Sequence, residues 1–188
     1  MPEAVIILAD GFEEIEAITC IDLIRRSNTP ITILGLNSLE IKGSHEIQVK
    51  ADLLLEDYSK DFDVLILPGG LPGTTNLAQS SELIDLIKKS FSENRLCAAI
   101  CAAPVVLAKA GVLKGLKATC YPGFEDKLGE AIYTEETVVH DANVITSRGA
   151  GTAVPFALKI IQYICGNEVA DTIASNILYQ NLKNKMEY

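Results

Sequence analysis

The chain has 188 residues, of which 48% are hydrophobic and 22% are charged, and its formal net charge is −9. This apolar content is enough for a core, which excludes a disordered or fibrous protein. The negative charge disfavours a dedicated nucleic-acid binder, since such a protein needs a basic face. The length suits one domain, so we expect a single domain over residues 1–188 with a frayed tail at 183–188.

Cysteine and histidine usage narrows the chemistry further. Five cysteines without a CxxC pair are too few for a disulfide scaffold, and His45 and His140 lie far apart without metal-type spacing. We therefore expect free thiols and no bound metal. The N-terminus lacks the basic region of a signal peptide, and the apolar stretch 96–108 is too short to span a bilayer. These features predict a cytoplasmic protein with no membrane partner.

Short runs rich in Val, Ile and Leu alternate along the chain with helical patterns. In chain order we predict a strand at 4–9, a helix at 12–27, a strand at 31–36, a hairpin of 39–41 with 47–49, a strand at 63–67, a helix at 81–91, a strand at 96–100, a helix at 104–109, short strands at 117–120, 131–133, 137–140 and 143–146, and helices at 152–165 and 169–182. This alternation predicts an α/β fold, a mostly parallel sheet with helices on both faces. The ligand crevice of such a sheet lies at the carboxyl ends of its strands.

The first candidate residue is Cys101, in the segment AAICAAP at 98–104. An apolar strand runs into it, and a helix follows within about three residues. Small neighbours permit a tight turn that points the central side chain into the crevice. The nearby helix start would favour the thiolate and lower the pKa of the thiol. The alternative is a buried structural cysteine, which Ala-rich cores often contain.

Acidic residues follow the first strand. Glu13 and Glu14 need no special explanation, because carboxylates are ordinary in the first turn of a helix. Glu16 comes just past the apolar Ile15 and can point into the crevice. A partly desolvated carboxyl there would have a raised pKa and could share a proton with a thiolate.

Two glycine-containing loops also follow strands. The segment LPGGLPG at 67–73 contains Gly69 and Gly70, whose backbone N–H groups could form an oxyanion hole, although the loop taken alone favours a plain turn. The segment TSRGAGT at 146–152 has GxG but lacks GxGxxG, which disfavours a nucleotide binder. Arg148 there is either an anion contact or a brace for the loop.

The remaining cysteines and both histidines have weaker claims to chemistry. We expect Cys97, Cys120 and Cys165 to be small hydrophobic residues, whereas Cys20 can reach a surface or an interface. We expect His45 and His140 to be surface residues rather than catalytic bases.

Four segments together resemble the DJ-1/PfpI superfamily, specifically its DJ-1/ThiJ branch. They are ILADGFEEIE at 7–16, VLILPGG at 64–70, AAICAAP at 98–104 and TSRGAGT at 146–152. The segments occur in the family's order and extend over nearly the whole chain. The resemblance implies a flavodoxin-like, Rossmann-like sandwich, a homodimer and no cofactor.

The resemblance also implies roles for individual residues. Cys101 matches the easily oxidised cysteine at the nucleophile elbow, and Glu16 matches the glutamate that hydrogen-bonds its sulfur as the protonated acid. Gly70 and Ala102 match positions whose backbone N–H groups face the sulfur. Further candidates for lining the site are Gly69, Tyr121, Ser147 and Arg148.

The activities that the resemblance implies leave two functions open. One is an enzyme of the glyoxalase III or deglycase type, acting on small reactive carbonyls such as methylglyoxal. The other is a redox sensor or chaperone with client proteins, in which Cys101 is oxidised to the sulfinate. Some relatives have histidines where this chain has Tyr121 or Ala102, so no Cys–His dyad exists at the matched positions. This departure disfavours peptidase chemistry, which needs a base beside the thiol.

Overall fold

The computed structural model describes residues 2–179 and contains eleven strands and six α-helices within them. The predicted tail at 183–188 and the end of the last predicted helix lie outside the described residues. The strands are β1 (Ala4–Leu8), β2 (Ile31–Gly35), β3 (Glu40–Lys42), β4 (Gln48–Lys50), β5 (Leu53–Leu54), β6 (Val64–Leu67), β7 (Leu96–Ile100), β8 (Lys117–Ala118), β9 (Ile132–Tyr133), β10 (Val138–Asp141) and β11 (Val144–Ser147). The helices are α1 (Glu14–Arg26), α2 (Gly73–Gln79), α3 (Ser81–Ser92), α4 (Pro104–Lys109), α5 (Ala153–Cys165) and α6 (Asn167–Asn176).

Seven strands form the central sheet in the order β10-β11-β7-β6-β1-β2-β5. Every neighbouring pair is parallel except β10 with β11 at one edge. The order β2-β1-β6-β7-β11 is the flavodoxin-like arrangement, in which the chain reverses its direction of winding between β1 and β6. The prediction of a mostly parallel, flavodoxin-like α/β sandwich is therefore confirmed.

Apolar side chains pack on both faces of this sheet, which explains why its central strands are hydrophobic throughout. Strands β1, β6 and β7 are buried at every residue. Helices α1, α5 and α6 cover one face, with Ile24, Phe156 and Ile160 in the packed layer. Helices α2, α3 and α4 cover the other face, with Leu77 and Leu83 in the packed layer. Covered faces of this kind are typical of parallel sheets.

Most predicted elements are present, with small differences at their ends. Helix α4 has the predicted bounds with Pro104 in its first turn, and β3 pairs with β4 as the predicted hairpin. The predicted strands 137–140 and 143–146 leave a turn at 141–142, but the turn lies one residue later because Asp141 still pairs with Val144. Helix α2 and the two-residue strand β5 were not predicted. No helix in residues 2–179 combines the length and the apolar character needed to cross a membrane.

Candidate active site

Three chain segments meet at the carboxyl ends of β1, β6 and β7, where the winding of the sheet reverses. They carry Glu16 on α1, Gly69 and Gly70 after β6, and Cys101 after β7. The N–H of Glu13 donates to the Gly69 carbonyl at 2.9 Å, and the Gly69 N–H donates to Glu16 Oε2 at 2.7 Å. These bonds join the start of α1 to the loop after β6. Cys101 and Glu16 thereby become neighbours although 85 residues separate them in the sequence.

Cys101 occupies a tight turn between β7 and α4. Its φ of +66° lies in the left-handed region, which costs a non-glycine residue about 1–3 kcal/mol. The surrounding backbone holds this conformation. The Cys101 N–H donates to the Ser147 carbonyl at 3.0 Å, and the Cys101 carbonyl accepts from the Tyr121 N–H at 2.8 Å. This is the strand–turn–helix geometry of a nucleophile elbow, with the side chain presented at the end of the sheet.

Gly69 lies between the two candidate catalytic side chains. A Cβ atom there would be 2.6 Å from Cys101 Cβ and 2.9 Å from Glu16 Oε2, so the close approach requires glycine. Gly70 has a φ of +92°. The backbone N–H groups of Ala102 and Gly70 interact with the Cys101 sulfur and lower the pKa of its thiol.

Glu16 is fully buried beside the elbow. Burial raises the pKa of Glu16 to about 7, against the lowering effects of the Gly69 N–H and the Cys101 thiol. Glu16 Oε2 accepts the Gly69 N–H, whereas buried Oε1 has no hydrogen-bond partner within residues 2–179. Oε1 is therefore the oxygen that is free to carry a proton, and a substantial fraction of Glu16 is neutral near pH 7.

The pKa of the Cys101 thiol is raised, whereas a lowered pKa was expected. Burial, followed by the charge of Glu16 and its hydrogen bond, raises the pKa of Cys101 to about 12. The N–H groups of Ala102 and Gly70 lower the pKa by less than burial and Glu16 raise it. Glu16 opposes the thiolate only while it is charged, so the protonation of each group depends on that of the other. The reactive form pairs a thiolate with a neutral Glu16 carboxyl.

A cavity of about 400 Å³ opens over Cys101 and Glu16. Its polar lining includes Ser44 and His45, and Tyr121 and Phe124 contribute aromatic rings in an edge-on arrangement with centroids 6.5 Å apart. The other lining residues are Glu13, Gly70, Leu71, Ala102 and Ala150. The structure thus places four residues that were predicted for the site in one cavity wall, namely Cys101, Glu16, Gly70 and Ala102, together with the predicted lining residue Tyr121.

Three other predicted lining residues occupy different places. Gly69 lies behind Cys101 and contributes backbone. Ser147 is buried, and its hydroxyl donates to the Thr137 carbonyl at 2.7 Å. Arg148 donates from Nη1 to the Glu135 carbonyl at 3.2 Å, so it braces the loop. Among the described residues, Ala150 is the member of the loop at 146–152 that lines the cavity.

His45 is a cavity residue that the sequence did not reveal. Its side chain is 69% exposed, as expected for a surface residue, but it also lines the cavity. His45 Nδ1 lies 2.9 Å from Glu14 Oε2, a carboxylate 31 residues earlier in the chain. Only the folding of the β3–β4 hairpin against α1 brings them together, so no local pattern signals the contact. His140 is elsewhere, with its ring edge-on to Tyr163 at 5.4 Å.

Glu13, Glu14 and His45 also form the group most suited to a cation among residues 2–179. Their potential ligand atoms all lie within 4.8 Å of one another. The contacts between them are those of an ion pair, with Glu14 nearest to the imidazole and Glu13 Oε2 at 3.8 Å from Nδ1. The expectation that the protein holds no metal stays a prediction.

Comparison with known proteins agrees with this arrangement. The family model described as the DJ-1/PfpI family matches residues 2–163. Protein dj-1beta of Drosophila melanogaster is 44% identical over 179 residues, which cover 93% of this chain and 96% of that protein. Its crystal structure has a TM-score of 0.90 at 42% identity, covering 95% of this chain and 98% of that one.

Of two further relatives, one is named for an enzymatic activity and the other for an oxidised state. The glutathione-independent glyoxalase DJR-1.2 of Caenorhabditis elegans is 35% identical over 164 residues, covering 86% of this chain and 87% of that protein. The structure of oxidized Toxoplasma gondii DJ-1 has a TM-score of 0.91 at 32% identity, covering 95% and 98% of the two chains. The elbow, the buried glutamate and these matches over nearly the whole chain show that it belongs to the DJ-1/PfpI family.

Proposed function

We propose that this DJ-1-like stress-protection protein acts on small reactive carbonyls, converting 2-oxoaldehydes such as methylglyoxal to 2-hydroxy acids without a cofactor. The observation that carries the proposal is that the partly exposed Cys101 and the buried Glu16 line one wall of the same cavity. A relative at 35% identity is named a glutathione-independent glyoxalase. The same chemistry extends to deglycation, where the carbonyl adduct is carried by another molecule.

The first step forms a covalent adduct. The Cys101 thiolate, stabilised by the N–H groups of Gly70 and Ala102, adds to the aldehyde carbon. The π electron pair of that carbonyl moves to its oxygen, which takes the proton from the neutral Glu16 carboxyl. The product is a hemithioacetal, and Glu16 is left as a carboxylate able to act as a base.

The second step moves a proton between the two substrate carbons. The Glu16 carboxylate removes the proton on the aldehyde-derived carbon while the ketone oxygen gains a proton, giving an enediol. Glu16 then returns its proton to the neighbouring carbon as the hydroxyl on the first carbon loses one. The adduct is then a thioester of the 2-hydroxy acid. Water cleaves the carbon–sulfur bond, and one of its protons restores the Cys101–Glu16 pair. The sum is addition of one water, so the oxidation of one carbon balances the reduction of the other.

Lactate formation from methylglyoxal tests this function. We expect turnover by the wild type, background rates for Cys101→Ser, and at least about a 100-fold loss for Glu16→Gln, because an amide cannot transfer the proton. Cys165→Ser is the matched control, since Cys165 is also partly exposed but lies outside the cavity. The proposal fails if the wild type makes no more lactate than Cys101→Ser.

The second candidate function is redox sensing or a redox-regulated chaperone activity on client proteins. Cys101 would be oxidised to the sulfinate, with the neutral Glu16 carboxyl as a hydrogen-bond donor to it. The oxidized structure of the Toxoplasma gondii relative supports this alternative. Uptake of two oxygen atoms at Cys101 under mild peroxide, in a protein that makes no lactate, would favour sensing over catalysis.

We also propose a homodimer in the cytoplasm. Ile15 and Ile18 on α1 are 57% and 43% exposed, and Ile47 is 56% exposed. The Ile47 N–H donates to Glu14 Oε1 at 3.4 Å, so Ile47 lies near the start of α1, and we infer that the three side chains belong to one apolar patch. Such a patch supports a partner surface. Five free thiols support a reducing compartment.

A further inference from the structure

His45 lines the same cavity as Cys101 and Glu16, and the proposed reaction has a proton transfer that those two residues leave unassigned. The enediol forms only if the oxygen on the second carbon gains a proton while Glu16 acts on the carbon-bound hydrogen. We propose that His45 is a catalytic acid–base residue that donates this proton through Nε2. This inference rests on the proposed function and assigns one further residue of the same site.

The position of His45 is fixed by Glu14. Glu14 Oε1 accepts the backbone N–H of His45 at 2.7 Å, and Oε2 lies 2.9 Å from His45 Nδ1. The adjacent Ser44 N–H donates to the Phe12 carbonyl at 2.8 Å. The turn that carries the imidazole is thus attached to the start of α1, the helix that carries Glu16. With Nδ1 occupied, Nε2 is the ring nitrogen that remains for a ligand in the cavity.

The surrounding charges favour the acid form of the imidazole. Its titratable neighbours are Glu14, Glu13 with Oε2 at 3.8 Å from Nδ1, and Glu16 and Cys101 in the same cavity wall. The hydrogen bond that the imidazole donates to the Glu14 carboxylate, followed by the charges of Glu13 and Glu14, raises the pKa of His45 above its ordinary value. The cation, in which both ring nitrogens are donors, therefore persists to higher pH than in a free histidine.

With His45 included, every proton that moves in the enediol step has a donor and an acceptor. When Glu16 removes the carbon-bound proton, that bond's electron pair forms the carbon–carbon double bond, and the ketone π pair moves to its oxygen. That oxygen takes the proton from Nε2. When Glu16 returns its proton to the second carbon, the hydroxyl on the first carbon gives its proton to Nε2 and becomes the thioester carbonyl. His45 ends as it began, and no oxidant or reductant enters.

The test compares His45→Ala and His45→Gln with His140→Ala, a variant of the only other histidine in the chain. We expect kcat/KM for methylglyoxal to fall about 100-fold in both His45 variants, through kcat more than KM, and to be unchanged in His140→Ala. The alkaline limb of the wild-type pH profile should disappear in His45→Gln. Added imidazole should restore activity to His45→Ala but leave His45→Gln unchanged, which a structural role of the side chain would not produce.

The outcomes separate this inference from the proposed function. Wild-type turnover that depends on Cys101 and is unaffected by either His45 variant overturns the role of His45 alone. Loss of activity without imidazole rescue, with the alkaline limb retained, also overturns it, because the residue then acts only on structure. Absence of turnover in the wild type itself is the separate failure of the proposed function. Because the side chain is mostly exposed, both variants should keep the wild-type melting temperature.

Discussion

Cys101 and Glu16 cannot both be ionised without two like charges meeting in a buried pocket. Glu16 is raised to a pKa of about 7 chiefly by burial, and its charge in turn raises the pKa of Cys101. Glu16 therefore suppresses the thiolate whenever it is ionised, and assists the thiol only as the neutral acid. We infer that the reactive form depends on where a single proton lies within the pair.

Glu16→Gln tests this coupling at the level of the thiol. An amide carries no charge at any pH, so the variant should lower the pKa of Cys101 relative to the wild type. The pKa is measured by ultraviolet thiolate absorbance against pH, with Cys101→Ser in each background subtracted to remove the other thiols. An unchanged or higher thiol pKa in Glu16→Gln would show that the charge of Glu16 does not act on the sulfur.

The two members of the pair could be predicted from the sequence, because each follows a buried strand and parallel strands bring their carboxyl ends together. Cys101 was further marked by small neighbours on both sides. His45 could not be predicted, because its partner Glu14 is a distant residue and carboxylates at a helix start are ordinary. The raised pKa of the Cys101 thiol could not be predicted either, since it depends on burial and on the charge of Glu16 beside the sulfur.

The β3–β4 hairpin is held against α1 by one carboxylate. Glu14 accepts the N–H groups of His45 and Ile47 and also contacts the His45 ring. Burial alone would raise the pKa of Glu14, but the hydrogen bonds from His45, from its own backbone N–H and from Ile47 lower it to about 2. Because the folded pKa is depressed, this stabilisation is complete above the ordinary value of 4.5 and is lost as the pH falls towards 2.

Glu14→Ala should therefore loosen the turn at 43–47 while leaving the central sheet intact. The measurement is amide hydrogen exchange, in which the His45 and Ile47 amides should exchange faster in the variant and, in the wild type, faster as the pH falls below 4.5 after correction for intrinsic rates. Glu13→Ala is the control, because Glu13 accepts no backbone N–H from the turn among residues 2–179. Equal protection in both variants would contradict the anchoring role.

The long apolar strands and helix α3 were the elements that the sequence specified best. Strands β1, β6 and β7 are continuous apolar runs. At the start of α3, Ser80 caps the helix because its Oγ accepts the Leu83 N–H. Helix α2 was missed because GTTNLAQ begins with glycine and contains two threonines, residues of modest helix propensity. Strand β5 has two residues and exists only through pairing with β2 at the sheet edge, which no periodic pattern reveals.

At the scale of the whole molecule, one sheet separates two apolar layers, and each layer is covered by three helices. We propose on this ground that the chain folds as one domain. The site lies at one end of that sheet, beside the apolar patch of Ile15, Ile18 and Ile47. Because Ile15 and Glu16 are adjacent on α1, a partner on the patch would sit close to the cavity without supplying any of the residues in the proposed reaction.

The double variant Ile15→Lys/Ile18→Lys tests the homodimer. We expect light scattering coupled to size exclusion to give about twice 20.3 kDa for the wild type and the monomer mass for the variant, because buried lysines would be desolvated in the interface. Ile132→Lys is the control, since Ile132 is 54% exposed on β9. A monomeric wild type at micromolar concentration, or a dimeric double variant, would contradict the proposed interface.

The most direct test of the account is competitive alkylation of the five thiols at neutral pH with a limiting amount of reagent, read by peptide mass. Cys101 and Cys165 are both partly exposed, so exposure alone predicts similar rates. We predict that the ratio of Cys101 to Cys165 modification rises in Glu16→Gln, because the amide carries no charge that opposes the Cys101 thiolate, and that it is unchanged in Gly151→Ala, where an added Cβ meets no atom within 4 Å. A ratio that is unchanged or lower in Glu16→Gln would contradict the assignment of Cys101 and Glu16 as the reactive pair.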